Sequence, residues 1–300
     1  MEGMLMRFKQ NQIERARRKV FGVAMPTIAN TFFVVLNNGL NTIVEENGDI
    51  LITLIANYDQ ELQNAQVQKF IDEKVDFIFI IPVDSETVKP ALEASREAGI
   101  PVINIDTPVY DKELVLSIIS SDNYKIGTLI GLDLIQRLNS AKIVIIDFPE
   151  SVSTTNRVNG FMDIIKDKPQ YEVVEILPGD TQYLNSKKAM ESVIDSGIEF
   201  NVVMAVNDLS AFGAMDALDE AGINSGILIY GVDGSPEAKR LIAQGKMTAS
   251  VAQSPNELGM YSAEMAYVYL EGKPISDRIF IPVYLIDQQN VYDYGLISWN

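Results

Sequence analysis

Asn30, Phe32, Phe33, Asp106, Thr107, Asn207, Asp233 and Gln253 share one setting: each stands at, or shortly beyond, the end of a short apolar run. A carboxylate offers two acceptor oxygens, and a side-chain amide offers one acceptor with two donors, so either group can bridge neighbouring hydroxyls. A phenyl ring adds a flat apolar face that suits the C–H side of a sugar ring and loses little entropy when held. Together these side chains suit a neutral, polyhydroxylated small molecule. An anionic ligand would call for Arg, Lys or a glycine-rich helix start, and neither G-x-x-x-x-G-K nor G-x-G-x-x-G occurs in the chain.

Composition removes several other chemistries. The chain has no Cys and no His, which excludes thiolate nucleophiles, Ser-His-Asp and Cys-His pairs, zinc sites built from those ligands, iron–sulfur clusters and imidazole acid–base work. No cofactor is expected. With 24 Lys plus Arg against 41 Asp plus Glu, the net charge is −17. A surface of that sign repels phosphate backbones and anionic lipid, so nucleic acid is not an expected partner. Asp106 and Asp233 could instead form a carboxylate pair for glycoside hydrolysis. That chemistry needs one carboxyl kept protonated in an apolar pocket, whereas these positions read as acceptors for hydroxyls, and no catalytic signature accompanies them.

The elements that must position these residues alternate in type. Candidate strands are Val20–Met25, Ile50–Ile55, Phe77–Ile81, Val102–Asp106, Leu116–Ile119, Ile143–Asp147, Val173–Leu177, Val202–Val206, Ile227–Val232 and Thr248–Gln253. Amphipathic helical spacing fills most of the gaps, for example Phe33, Leu36, Leu40, Ile43 and Val44. Gly48, Gly99 and Gly222 each follow a helical run where a left-handed residue closes the last turn. Nearly continuous apolar strands are expected where helices cover both faces of a sheet, so the pattern predicts parallel α/β layers. Three hundred residues are ample for two domains. The pattern up to about residue 120 returns in kind from about 142, which predicts two similar α/β lobes. In open parallel sheets ligands gather beyond the carboxyl ends of the strands, where the residues above lie, together with segments 147–157 and 179–183.

Simpler local roles are available to each of them. Asn30 and Asn207 could be helix N-caps, Asp106 and Asp233 turn residues, Gln253 an edge-strand polar group and Arg157 a helix-surface charge. Phe32 and Phe33 are about 100° apart on a helix, so one should pack in the core and the other remain available.

The segments Asn30-Thr31-Phe32-Phe33, Pro82-Val83-Asp84-Ser85, Gly99–Asp106, Ser121-Asp122-Asn123, Arg157-Val158-Asn159-Gly160-Phe161, Val206-Asn207-Asp208, Gly231–Pro236 and Ala252-Gln253-Ser254-Pro255 come in order. In this the chain resembles the periplasmic sugar-binding proteins of the ribose type, which share a fold with the ligand-binding cores of lac-repressor-like regulators. The resemblance runs from about Val20 to Val283. It implies two similar lobes, each a parallel sheet flanked by helices, joined by a three-strand hinge near Ser121-Asp122, Gln253-Ser254 and Val283-Tyr284. The implied division is 20–121 with 254–283, and 122–253 with 284–300, after a basic stub at 1–19. It further implies that Asn30, Phe32, Phe33, Asp106 and Thr107 serve the first half of the site. Thr155, Arg157, Thr181, Asn207 and Asp233 serve the second, with Gln253 at the hinge. Ribose binders usually carry Arg where this chain has Thr107 and Thr155, and a stacking aromatic where it has Thr181. Losing fork-shaped donors changes which hydroxyls can be bridged, so another pentose, a hexose or a polyol is equally admissible.

The resemblance also implies an extracytoplasmic, monomeric solute-binding protein that delivers its sugar to the membrane permease of an ATP-driven importer. A sensory or regulatory module binding the same class of ligand is the rival reading. Arg7, Lys9, Arg15, Arg17, Arg18 and Lys19 form the basic stub, without the apolar stretch of a complete secretion signal and too short for a helix-turn-helix. No run approaches the ~20 apolar residues that span a bilayer.

Overall fold

Short runs of Val, Ile and Phe without a polar face can be buried only when both faces of their sheet are covered. In the computed structural model, which describes residues 17–223 and 225–299, both faces are. Residues 1–16 of the basic stub lie outside the described residues.

The first lobe is built from β1 (Val20–Met25), α1 (Thr31–Glu46), β2 (Ile50–Ile55), α2 (Gln60–Asp72), β3 (Phe77–Ile80), α3 (Lys89–Glu97), β4 (Val102–Ile105) and β5 (Ser117–Ser121). The second contains α4 (Asn123–Arg137), β6 (Ala141–Asp147), α5 (Val152–Ile165), β7 (Tyr171–Pro178), α6 (Tyr183–Ser196) and β8 (Val202–Ala205). It continues with α7 (Asp208–Glu220), β9 (Leu228–Asp233), α8 (Pro236–Ala243) and β10 (Ala249–Ala252). The chain then returns as α9 (Pro255–Leu270), β11 (Arg278–Ile281) and β12 (Tyr284–Asp287). The sheets run β11-β5-β4-β3-β1-β2 and β12-β10-β9-β8-β6-β7. Every pairing is parallel except the edge pair β10–β12. The chain passes between the sheets three times: after Ser121, after Ala252, and through Pro282-Val283.

All ten expected strands are present, β1 and β2 with the expected bounds and the others with ends shifted by one or two residues. The sequence reading omitted β11 and β12, because each is only four residues long and they are separated by Pro282 and Val283. In the first lobe Phe21, Phe77 and Phe79 pack on one sheet face with Leu36 and Leu40 of α1, while Ala24, Ile78 and Ile80 pack on the other with Val67 and Phe70 of α2. The face of α1 turned to the core is thus Phe32, Leu36, Gly39, Leu40, Ile43 and Val44, which matches the expected spacing at Leu36, Leu40, Ile43 and Val44 and differs at its start, where Phe32 replaces Phe33. Gly48, Gly99 and Gly222 all have φ near +70° to +75°, as helix-closing residues should.

Close helix crossings lock both lobes. A Cβ on Gly127 would lie 1.8 Å from the carbonyl oxygen of Arg157, and one on Gly160 2.0 Å from that of Tyr124, so α4 and α5 touch backbone to backbone. Gly127→Ala is therefore expected to lower stability by about 1–3 kcal/mol, the range for overpacking a close contact, in urea unfolding. Unchanged stability would mean that the helices can separate freely. This crossing also fixes the backbone of Arg157, the residue on which the site converges.

Candidate functional site

Between the carboxyl ends of the two sheets lies a cavity lined by residues of both lobes, where open α/β sheets bind their ligands. Parallel strands deliver their following residues to the same end, so Asn30 after β1, Asp106 after β4, Asn207 after β8, Asp233 at the end of β9 and Gln253 after β10 all line it.

On the first lobe, Asn30 is indeed the N-cap of α1: its Oδ1 accepts from Phe32 N at 2.9 Å. The cap uses only the oxygen, which leaves the amide hydrogens for the cleft. Phe32 is buried at 2% exposure and Phe33 is partly buried, with ring centroids 5.3 Å apart and planes at 90°. The pair thus divides as helix geometry requires, one ring mainly in the core and the other at the surface of the cavity. Asp106 adopts φ 66°, a left-handed conformation costly for a residue with a Cβ. Its Oδ2 accepts from Thr107 Oγ1 at 3.1 Å, while Oδ1 is buried without a partner.

On the second lobe, Arg157 is buried at 4% exposure. Its Nε donates to Asn123 Oδ1 at 2.8 Å and its Nη1 to the Val206 carbonyl at 2.6 Å, which ties α5 to α4 and β8. Asn207 caps α7 through Oδ1, accepting from Ser210 N at 2.8 Å, and donates Nδ2 to the Thr181 carbonyl at 3.0 Å. Asp233 has φ 126°, and its Oδ1 accepts from Gln253 Nε2 at 2.8 Å. That bond turns Gln253 Oε1 away, and Oε1 is a second buried acceptor with no partner. Unpartnered buried acceptors are costly. Here two of them line one cavity together, which is what a site for hydroxyl donors requires.

The electrostatics centre on three acids and one base. Burial pushes Asp106, Asp208 and Asp233 above the usual carboxylate range, and the Arg157 guanidinium acts against that rise in each case. For Asp233 the neighbouring Asp208 raises it further. A carboxyl with a raised pKa in the fold binds its proton more tightly there than in the unfolded chain. The stability it contributes is therefore complete below its ordinary value of 3.8 and is lost as the pH climbs through the raised one. The ligand-free protein should accordingly be more stable at pH 5 than at pH 8, and Asp233→Asn should flatten that slope. A slope unaffected by the substitution would contradict the burial argument.

Ten of the eleven residues singled out by sequence line the cavity; Thr155 does not. On α5 the faces of Thr154 and Arg157, three residues apart, point to the cleft, and Thr155 lies about 100° away from Thr154. Its Oγ1 instead donates to the Pro149 carbonyl at 3.4 Å. The cavity is also lined by Tyr58, which the sequence does not single out, and by Phe148 and Ser153, which it reaches only as part of the segment 147–157. Tyr58 follows β2, with φ 63°, so it too stands beyond the carboxyl end of a parallel strand. Phe148 and Tyr58 supply aromatic surface that Thr181 lacks.

The two lobes touch directly across the cleft. Val152 N donates to Ser85 Oγ at 3.2 Å, Thr107 Oγ1 and Ser153 Oγ are 3.4 Å apart, and the Tyr58 hydroxyl interacts with Thr181. The conformation described is thus a shut one.

Comparison with known proteins agrees with this geometry. A family described as a periplasmic binding protein domain matches residues 21–274. The ribose import binding protein RbsB of Bacillus subtilis is 30% identical over 270 residues, covering 89% of this chain and 87% of that protein. The galactofuranose-binding protein YtfQ of Escherichia coli is 32% identical over 225 residues, 72% of this chain and 71% of its own length. Among solved structures, an ABC transporter solute binding protein from Mycobacterium smegmatis with bound glycerol superposes with a TM-score of 0.89 at 28% identity, covering 94% of this chain and 99% of that one. One from Bacillus halodurans with bound myo-inositol gives 0.87 at 26% identity, covering 92% and 97%.

Proposed function

Because this chain belongs to the periplasmic binding protein family, we propose that it captures a small polyhydroxylated molecule, a sugar or polyol, by closing its two lobes over it. The family is one of binding proteins, and the chain is not an enzyme. The observation that carries the reading is the pair of buried, unpartnered acceptors Asp106 Oδ1 and Gln253 Oε1 in a cavity also lined by Phe33 and Asn207. Acceptors take hydroxyl protons, the ring covers C–H surface, and Arg157 Nη2, which makes no hydrogen bond among the described residues, can donate to a ring or hydroxyl oxygen.

Each lobe supplies part of the shell, so full affinity exists only when the cleft is shut and water has left. The ligand stabilises the shut form against the open one, and the joined outer surface of the two lobes is what a membrane permease of an ATP-driven importer would recognise. This reading places the protein outside the cytoplasmic membrane as a freely diffusing monomer. Among the described residues no helix is long and apolar enough to cross a membrane.

The test is a thermal-shift and small-angle-scattering titration with pentoses, hexoses, glycerol and inositols. At least one should raise the unfolding temperature and reduce the radius of gyration; a panel that does neither removes the proposal. In the same assay Phe33→Ala should cost about 1 kcal/mol of affinity, roughly fivefold in Kd, through the lost ring face. An unchanged Kd would show that Phe33 lies off the ligand.

A further inference from the structure

Charge inside the cleft does not balance. Asp106 and Asp233 line the cavity, and Arg157 is the cation whose field acts on both. Behind them Asp208 is held by Ser235 N at 2.8 Å and Ser250 Oγ at 2.7 Å, and it is drawn toward Lys239 of α8. Two carboxyls face one guanidinium, so in the empty cleft one of them is balanced only by a bound proton. The fork-shaped donors that the ribose-type resemblance would place at 107 and 155 are threonines, and Thr155 is turned away from the cleft. A carboxylate buried at 5% or 4% exposure, as Asp106 and Asp233 are, must either hold a proton or meet a cation.

The donor count leans the same way. Arg157 has spent Nε and Nη1 on protein acceptors and Asn207 has given Nδ2 to Thr181, which leaves Arg157 Nη2 and the Asn30 amide for hydroxyl oxygens. Asp106 Oδ1 and Gln253 Oε1, by contrast, are buried acceptors without partners. The two unpartnered atoms on this side of the cleft are thus both acceptors, beside a carboxyl pair of which one member is balanced only by a proton. An ammonium group suits both at once, with three N–H donors and no acceptor of its own.

Resting on the reading of the cleft as a polyol site, we propose that the cargo is an amino sugar or amino polyol, a hydroxyl-rich frame bearing one protonated amine seated against Asp106, Asp233 and Gln253. The amine takes the place of a proton that the ligand-free carboxylates share. Phe33 and Tyr58 then cover the C–H surface of the frame, and the remaining hydroxyls meet Asn30 and Arg157.

Isothermal titration of matched pairs tests it: D-glucosamine with D-glucose, 1-amino-1-deoxy-D-sorbitol with D-sorbitol, and scyllo-inosamine with scyllo-inositol. Each runs at pH 7 in two buffers of different ionisation heat. The amine of at least one pair should bind tenfold or more tightly than its hydroxyl partner, with net release of protons to the buffer. Asp233→Asn should remove most of that advantage. Hydroxyl members binding as tightly as, or more tightly than, their amines would overturn the amine assignment and leave the polyol site intact. If no member of any pair binds, the polyol reading falls with it. The wild-type comparison decides between these outcomes even if the variant folds poorly.

Discussion

Replacing Asp106 by alanine should weaken ligand binding by about 100-fold or more while leaving the ligand-free protein at least as stable as before. The two halves of this expectation have one cause. Asp106 is buried in the fold, its Oδ1 has no partner, and its pKa is raised chiefly by burial. The group is therefore a cost to the empty protein. Hydrogen bonds to a charged acceptor contribute about 1.5–3 kcal/mol each, so the loss of two hydroxyl or ammonium contacts gives the stated factor. The φ of 66° adds to the contrast, because alanine does not relieve it and any gain in stability must come from the carboxylate alone. Urea unfolding and titration calorimetry on the same preparation check both halves. A variant that loses stability in step with affinity would assign Asp106 to the scaffold.

Arg157→Met should behave in the opposite way and unfold the protein more readily, by about 3–5 kcal/mol, the range for breaking a buried ionic group from one side. The substitution leaves Asp106, Asp208 and Asp233 without the guanidinium whose field acts on all three, and removes the bonds to Asn123 Oδ1 and the Val206 carbonyl. The deficit should shrink at pH 5 relative to pH 8, because the three carboxyls have raised pKa values and take up protons as the pH falls. A deficit independent of pH would assign the role of Arg157 to packing of its stem. The contrast with Asp106→Ala separates a residue that organises the cleft from one that waits in it for a ligand.

The fold was legible because its local signals agree with one another. Continuous apolar strands, glycine-closed helices and polar residues at strand ends describe the same layers, and β1 and β2 were read residue for residue. The small misfit at α1 has a plain reason. Phe32 and Phe33 are both apolar, so spacing alone cannot say which one enters the core, and the cap geometry at Asn30 selects Phe32. The edge strands β11 and β12 were invisible because four residues of mixed burial on either side of Pro282-Val283 carry little periodic signal.

For the site, strand-end logic found Asp106, Asn207, Asp233 and Gln253 because parallel topology carries all such positions to one rim. It also showed that a cap and a binding residue need not be alternatives: Asn30 and Asn207 cap with their oxygens and keep or direct their nitrogens elsewhere. Thr155 lies off the cavity because the 100° step of a helix turns it away from the face that carries Thr154 and Arg157. The same strand-end logic applied after β2 would have found Tyr58. The charge imbalance could not be seen in sequence, because net charge says nothing about which carboxylates share a cavity with which cation.

The most direct measurement is a crystal structure of the protein grown with the tightest-binding member of the sugar and polyol panel. The account predicts electron density for that molecule between the lobes, with Asp106 and Asp233 carboxylates within hydrogen-bond distance and Phe33 against its C–H face. Density for the ligand on an outer surface, with the cleft filled by solvent, would contradict it.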